Sequence, residues 1–305
     1  MLLLWLSNPK RDNSSDTSKS NFVSSINRIL LATDFSDTAA NAAQFATRIA
    51  ADNHAEIHVL TVHVINGTMP DVNASLYEDA EKRLENYGID GDVKAVKAIR
   101  TGVAAAPVIV DYAQTNAVDL IIIGTHARRG LARFFIGSVA SEVVRSATQS
   151  VLVIDPAHTV FSRTFDRIMA PVDFSQASLA ALREAEAIAQ RHEARLQAVH
   201  VVESPTLELY SQSRSQNAEA HAREALAAFL DTAALAMPVA AIVTLGSPHT
   251  RIAESADEND VDLIVMGAKG RGAVERLLLG STTDRVLRMA PCPVLVHRGE
   301  QTAAF

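Results

Sequence analysis

The sequence predicts an α/β protein of two tandem doubly wound domains, each with a five-stranded parallel sheet. Three observations carry that expectation: the length, an internal repeat, and short apolar runs that alternate with helically spaced ones. At about 150 residues per domain, a chain of 305 residues fits two domains.

Composition narrows the class. Hydrophobic residues make up 48% and aromatic residues only 5%, so the cores are mostly Ala, Val, Leu and Ile. That content is too apolar for a disordered chain. With 28 basic and 35 acidic residues the net charge is −7, which argues against a general nucleic-acid or anionic-membrane surface. The single cysteine, Cys292, forms no internal disulfide and no Cys-rich zinc site. It fits a reducing compartment, and a cytoplasmic location is expected.

Met1 to Leu6 is apolar and Ser7 to Ser20 is polar. A secretory signal needs a basic start and about 7–15 apolar residues, so residues 1–25 read as a flexible extension; the alternative is a weak surface anchor. No stretch reaches the roughly 18–20 apolar residues of a spanning helix, so no membrane partner is expected.

The chain is written twice. Asn27-Arg28-Ile29-Leu30-Leu31-Ala32-Thr33-Asp34-Phe35-Ser36 matches Asp166-Arg167-Ile168-Met169-Ala170-Pro171-Val172-Asp173-Phe174-Ser175 at an offset of 139 (173 − 34). Val62-His63-Val64 recurs as Val199-His200-Val201 at an offset of 137 (200 − 63). Val118 to Gly124, Gly137-Ser138 and Val151-Leu152-Val153 recur as Val261 to Gly267, Gly280-Ser281 and Val294-Leu295-Val296, each at 143 (267 − 124). Kept order with a drifting offset is the mark of a tandem duplication. The expected units are an extension (1–25), domain 1 (26–154), a linker (155–164), domain 2 (165–298) and a tail (299–305).

Each copy reads alike. An apolar run, Ile29 to Thr33 or Ile168 to Val172, ends at Asp-Phe-Ser, where Ser36 and Ser175 are expected N-caps. Apolar residues then fall at 39, 43, 46 and 49–50, and at 179, 182, 185 and 188–189, which is helical spacing. Ile57 to Val64 and Leu196 to Val202 are strand-like again. The stretch from Glu219 to Leu235 places Ala222, Ala225, Leu226, Phe229, Leu230 and Ala233 on one face, predicting an amphipathic covering helix. Continuous apolar strands alternating with helices indicate parallel strands covered on both faces. In such sheets ligands bind beyond the carboxyl ends of the strands, where Asp34, Asp173, Gly124 and Gly267 are expected.

The second half then carries Gly267-Ala268-Lys269-Gly270, nine residues, and Gly280-Ser281. The Ser281-Thr282-Thr283-Asp284 run looks like a capping-box start. A helix amino end offers unpaired N–H groups and a positive dipole end, which suits phosphate. Glycines admit close backbone approach. A nucleotide would then lay its phosphates on this loop and its base or ribose near Asp173 and Val201. Each glycine taken singly reads better as a strand-end turn; the whole spacing, set between strand and helix with an Asp after the first strand, favours the site.

Gly-x2-Gly-x9-Gly-Ser, with Asp after the first strand and His-Val at the second, resembles the universal stress protein family over about residues 26–154 and 165–298. The resemblance implies an adenine nucleotide alpha hydrolase-like, Rossmann-like domain, pairing of domains along the last strand, and in one subclass ATP or AMP binding, with or without Mg. The implied second-half contacts are Pro171, Asp173, Val201, Met266, Gly267, Gly270, Arg271, Gly280, Ser281 and Thr282. The first-half counterparts are Asp34, Val64, Gly124, Arg128, Gly137 and Ser138, but Ala127 stands for the second glycine and Ala32 for Pro171. If that glycine needs φ > 0, Ala costs on the order of 1 kcal/mol. Arg128, Arg129 and Arg133 make the first loop the more basic.

His63 and His200 read as packing histidines, since no metal-spaced partners accompany them, and Cys292 as packing before the last strand. A Walker A sequence, a Gly-x-Gly-x-x-Gly turn after the first strand and a Gly-x-Ser-x-Gly elbow are absent. The leading expectation is a nucleotide-binding stress protein whose output is conformational or partner-mediated. The alternatives are a nucleotide-independent interaction module and a weak ATPase. The repeated last-strand segments, Ser150 to Val153 and Pro293 to Val296, predict that the halves pair as a pseudo-twofold, because an open β-branched edge invites aggregation. A homodimer and an unidentified protein partner are further expectations.

Overall fold

The computed structural model describes residues 26–65, 70–125, 136–155, 165–203, 212–270 and 279–299. The first half runs β1 (Arg28–Ala32), α1 (Asp37–Asn53), β2 (Glu56–Val64), α2 (Pro70–Glu85), β3 (Ala95–Gly102), α3 (Ala105–Thr115), β4 (Leu120–Gly124), α4 (Ser138–Ser146) and β5 (Ser150–Ile154). The second repeats the order: β6 (Arg167–Pro171), α5 (Gln176–His192), β7 (Arg195–Val202), α6 (Gln212–Ala233), β8 (Val239–Leu245), α7 (Pro248–Glu258), β9 (Leu263–Gly267), α8 (Ser281–Met289) and β10 (Val294–His297).

Each half is a parallel five-stranded sheet, and the two join into one mixed ten-stranded sheet ordered β3-β2-β1-β4-β5-β10-β9-β6-β7-β8. The seam is the antiparallel β5–β10 pair, with Leu152 opposite Leu295 and Val153 opposite Val294. This is the expected pseudo-twofold pairing. Both strands lose their open edges to each other.

The apolar strands read as continuous because both faces are covered. Ile29 and Leu31 belong to the core under α1, α2, α5 and α6, while Leu30 and Ala32 belong to the one under α3, α4, α7 and α8. Both cores cross the seam: Leu152 and Leu295 share one, Val151 and Val296 the other. In α6, Leu226 and Ala233 are buried and Phe229 and Leu230 half-buried, as expected of a covering helix, whereas Ala225 faces solvent. Cys292 is buried just before β10, and burial raises its thiol far above the ordinary range.

Several repeated residues hold the sheet rather than a site. Asp119 Oδ2 accepts from the N–H groups of Asn27 (2.7 Å) and Arg28 (2.9 Å), and Asp262 Oδ2 does the same for Asp166 and Arg167 (2.8 Å each). The Arg28 and Arg167 guanidinium groups donate to the Asn116 and Asn259 carbonyls at the ends of α3 and α7.

Candidate functional site

In each half β1 or β6 lies beside β4 or β9, the point where strand order reverses. A crevice therefore opens beyond their carboxyl ends. The chain leaves β1 and β6 through a left-handed phenylalanine: Phe35 and Phe174 both have φ 62°. A bulky residue there is strained by about 1–2 kcal/mol. Packing holds it, with Phe174 on His200 (4.3 Å between ring centres) and Phe229 (5.5 Å), and Phe35 on Tyr87 (5.8 Å). The kink lets Asp34 Oδ1 accept from Ser36 N–H (3.0 Å) and Asp173 Oδ1 accept from Ser175 N–H (3.1 Å) and hydroxyl (2.6 Å). Ser36 and Ser175 cap α1 and α5, their hydroxyls accepting from Ala39 and Ser178 N–H.

Asp173 thus spends one oxygen on the turn. The other points at the glycine loop: a Cβ on Gly270 would lie 2.4 Å from Asp173 Oδ2. A side chain at Gly270 would have to displace that carboxylate, and the Gly270 φ lies outside the left-handed range. The remaining motif glycines divide. A Cβ on Gly267 would meet the Ala177 backbone at 3.0 Å, and one on Gly124 would meet Thr38 O at 2.9 Å, so both let a helix cross close over a strand end. Gly280 has φ −63° and nothing closer than 3.5 Å to a Cβ, and Gly137 has φ −61°.

The helix starts differ in kind from those of α1 and α5. Gly137 and Gly280 are themselves the N-caps of α4 and α8, and neither helix has a side-chain cap bond. The capping-box reading of Ser281 to Asp284 is therefore corrected. Ser281 is the first helical residue, Gly280 N–H is anchored on Ala268 O (2.8 Å), and Asp284 pairs with Arg288 (3.2 Å). Thr283 turns inward to donate to Gly267 O (3.0 Å), locking β9 to α8. In the first half Thr125 donates instead to Asp155 (3.2 Å).

Pro171, Val201 and Met266 are buried, and Val201 and Met266 belong to the core under α3, α4, α7 and α8. Val64 is 38% exposed. Asp173, Gly270, Gly280, Ser281 and Thr282 gather around the α8 start, half-buried or exposed where side-chain burial is described. Arg128, Arg271, Ala127, Arg129 and Arg133 lie outside the described residues. His63 packs on Tyr77 (5.7 Å), and His200 Nδ1 meets Val172 O (2.7 Å), both in packing roles.

The universal stress protein family description matches residues 25–155 and again residues 164–298. The chain belongs to the universal stress protein family. A Staphylococcus aureus (strain USA300) protein carrying a universal stress protein name is 34% identical over 147 residues, 46% of this chain and 89% of that protein. A universal stress protein from Archaeoglobus fulgidus shares the fold across both halves, with a TM-score of 0.66 at 23% identity, covering 90% of this chain and 99% of that one. A functionally unknown protein from Pseudomonas aeruginosa PAO1 does likewise, with a TM-score of 0.64 at 21% identity over 90% of this chain and 93% of its own.

Against the universal stress protein motif, one part of the crevice is new. A cavity of about 330 Å³ adjoins the α8 start, lined by Glu203, Gly246, Ser247, Pro248, His249, Ser281, Thr282 and Arg285. Only Ser281 and Thr282 belong to the motif. The sequence signal for the rest was Ser247-Pro248, a serine before a proline at a helix start. A larger hollow of about 580 Å³ lies between α1 and α2 in the first half, over Gln44, Arg83 and Tyr87. It is an open groove between helix flanks, away from the glycine loop. Among the described residues no group of three or more His, Cys, Asp or Glu side chains is placed to hold a metal ion, and no helix is long and apolar enough to cross a membrane.

Proposed function

We propose that the second half binds an adenine nucleotide, ATP or AMP, and that the protein serves the cytoplasmic stress response by passing that occupancy to its conformation or to a protein partner. One observation carries the reading. Of the two helices that open on the second-half switch point, α5 is capped by Ser175, while α8 begins at a bare glycine packed against Lys269, the residue before the Gly270 that Asp173 approaches. An α-helix leaves its first N–H groups without intrahelical acceptors. At α8 these N–H groups lie beside Ser281 and Thr282, which line the adjoining cavity, and together they offer the donors that a phosphate needs. The Asp173 carboxylate is disposed to accept from ribose hydroxyls or the adenine amino group. Magnesium, where it accompanies the nucleotide, is carried chiefly by the phosphates.

The competing reading is a nucleotide-independent interaction module. It draws support from Gly124 and Gly267, whose smallness helix packing already explains. Mass spectrometry of nucleotide retained by freshly purified protein, followed by titration calorimetry with AMP and ATP, separates the two. Retained or saturable adenine nucleotide is the expected result. No binding at millimolar nucleotide would overturn the proposal and leave the interaction module.

A further inference from the structure

The cavity between α7 and α8 carries chemistry that the glycine motif does not explain. Its wall holds Arg285, on the first turn and a half of α8, and His249, at the second position of α7. Ser247 occupies the N-cap position of α7, yet its hydroxyl makes no cap bond and pairs with His249 Nδ1 at 3.0 Å. Burial, then the neighbouring Arg285 charge, holds the His249 imidazole below its ordinary pKa, so its free form is a neutral hydrogen-bonding group. Glu203 is the one carboxylate of the lining.

The duplication supplies an internal control. α3 and α7 have equal length and correspond at the offset of 143 (248 − 105), as do α4 and α8 (281 − 138). Ser247, His249 and Arg285 then correspond to Ala104, Ala106 and Glu142, and Thr282 to Val139. The scaffold is the same in both halves, but at four positions the second half has anion-compatible groups where the first has alanines, a valine and a carboxylate. Thr282 apart, none of the four lies in the glycine motif.

We propose that this cavity is a second phosphate subsite, with His249 and Arg285 as its specificity-determining residues, so that the second half favours adenine nucleotides with two or more phosphates over AMP. The first phosphate sits at Ser281 and Thr282 and the next ones enter between α7 and α8. Polyphosphate preference rests on the nucleotide reading above, but the anion subsite does not.

The test uses the full chain and two probes, inorganic pyrophosphate and AMP, titrated into the wild type, Arg285→Glu and His249→Ala. Arg285 is exposed, and an unchanged thermal midpoint in each variant verifies that the fold is intact. Pyrophosphate is expected to bind the wild type and to weaken at least tenfold in Arg285→Glu, with a smaller loss in His249→Ala, while AMP affinity changes less than threefold. ADP is expected to exceed AMP at least tenfold in the wild type, a ratio that collapses in Arg285→Glu. Pyrophosphate that fails to bind, or binds Arg285→Glu equally well, overturns the subsite even if AMP binds. Arg285-dependent pyrophosphate binding without any AMP binding keeps the subsite and overturns the nucleotide reading instead.

Discussion

Gly280→Asp separates binding from folding at the phosphate turn. The backbone at Gly280, φ −63° and ψ 143°, suits any residue, and a Cβ there would meet Ala268 O, Lys269 Cα and Thr283 Oγ1 at ordinary contact distances of 3.5–3.6 Å. Aspartate is among the preferred N-cap residues, better than glycine by a few tenths of a kcal/mol, and replacing glycine at a compatible position adds roughly 0.4–1 kcal/mol. Folding is therefore expected to hold or gain slightly, a rise of about 2–4 °C in thermal midpoint at most. Binding is expected to suffer. The new carboxylate accepts from the α8 N–H groups that a phosphate needs, and it repels the phosphate by about 1–4 kcal/mol at roughly 4 Å, between bulk water and the effective dielectric of a protein surface. A loss near the middle of that range is about a hundredfold in affinity. Titration calorimetry with AMP and a thermal melt without nucleotide, on the same variant, decide the matter. Unchanged affinity refutes the placement of phosphate at α8, and a collapsed melt refutes the claim that Gly280 is sterically free.

Three further outcomes are expected. Gly267→Ala, whose Cβ would lie 3.0 Å from three Ala177 atoms, should lower stability by about 1–3 kcal/mol through overpacking, whereas Gly280→Ala should not; urea denaturation of the pair checks the contrast. In the full chain Gly280→Asp should remove the tighter nucleotide site and Gly137→Asp the weaker one, and equal losses would show that the two halves bind alike. His297 touches Ser150 across the seam at 3.4 Å, and burial pushes its pKa down to about 4. With an unfolded value near 6.5, the unfolded chain takes up more protons between those values, so stability falls as pH drops from about 6.5 to about 4. The loss is at most about 3 kcal/mol, less for the part of the ring that reaches water, and it should disappear in His297→Leu when denaturation midpoints are compared at pH 7 and pH 4.5.

The fold was legible because it is written in local periodicity and then repeated. Apolar runs at Ile29 to Thr33 and Leu120 to Gly124 became adjacent parallel strands, and Ser36 and Ser175 capped the helices they precede. The repeat was less informative about roles. Asp119 and Asp262 recur as faithfully as Asp34 and Asp173, yet they only tie down strand starts. Likewise Gly267 and Gly280 look alike in the motif, but one accommodates a helix and the other begins one. Sequence spacing reports that a glycine stands in a loop; the atom that its missing Cβ would strike depends on an element far along the chain. The cavity residues Ser247, His249 and Arg285 escaped for a related reason. They come from two helices whose amino ends meet only in three dimensions, and no motif of fixed spacing joins them.

The β5–β10 seam shows what covalent linkage of two like domains permits. In an isologous dimer every interface residue appears twice, so any change must suit both of its copies. Here the Ser150–His297 contact occurs once. By register its mirror position pairs Ile154 with Pro293, which is wholly apolar. Arg298 likewise reaches across to the Val144 and Arg145 carbonyls at the end of α4, while its counterpart Asp155 serves Thr125 within its own half. Tethering also makes the pairing independent of protein concentration, since the partner is always present at a high effective local concentration. Because the two half-sheets run antiparallel, the carboxyl ends of their strands point to opposite rims of the ten-stranded sheet. Each half was thus free to diverge on its own rim while the shared spine kept them in register.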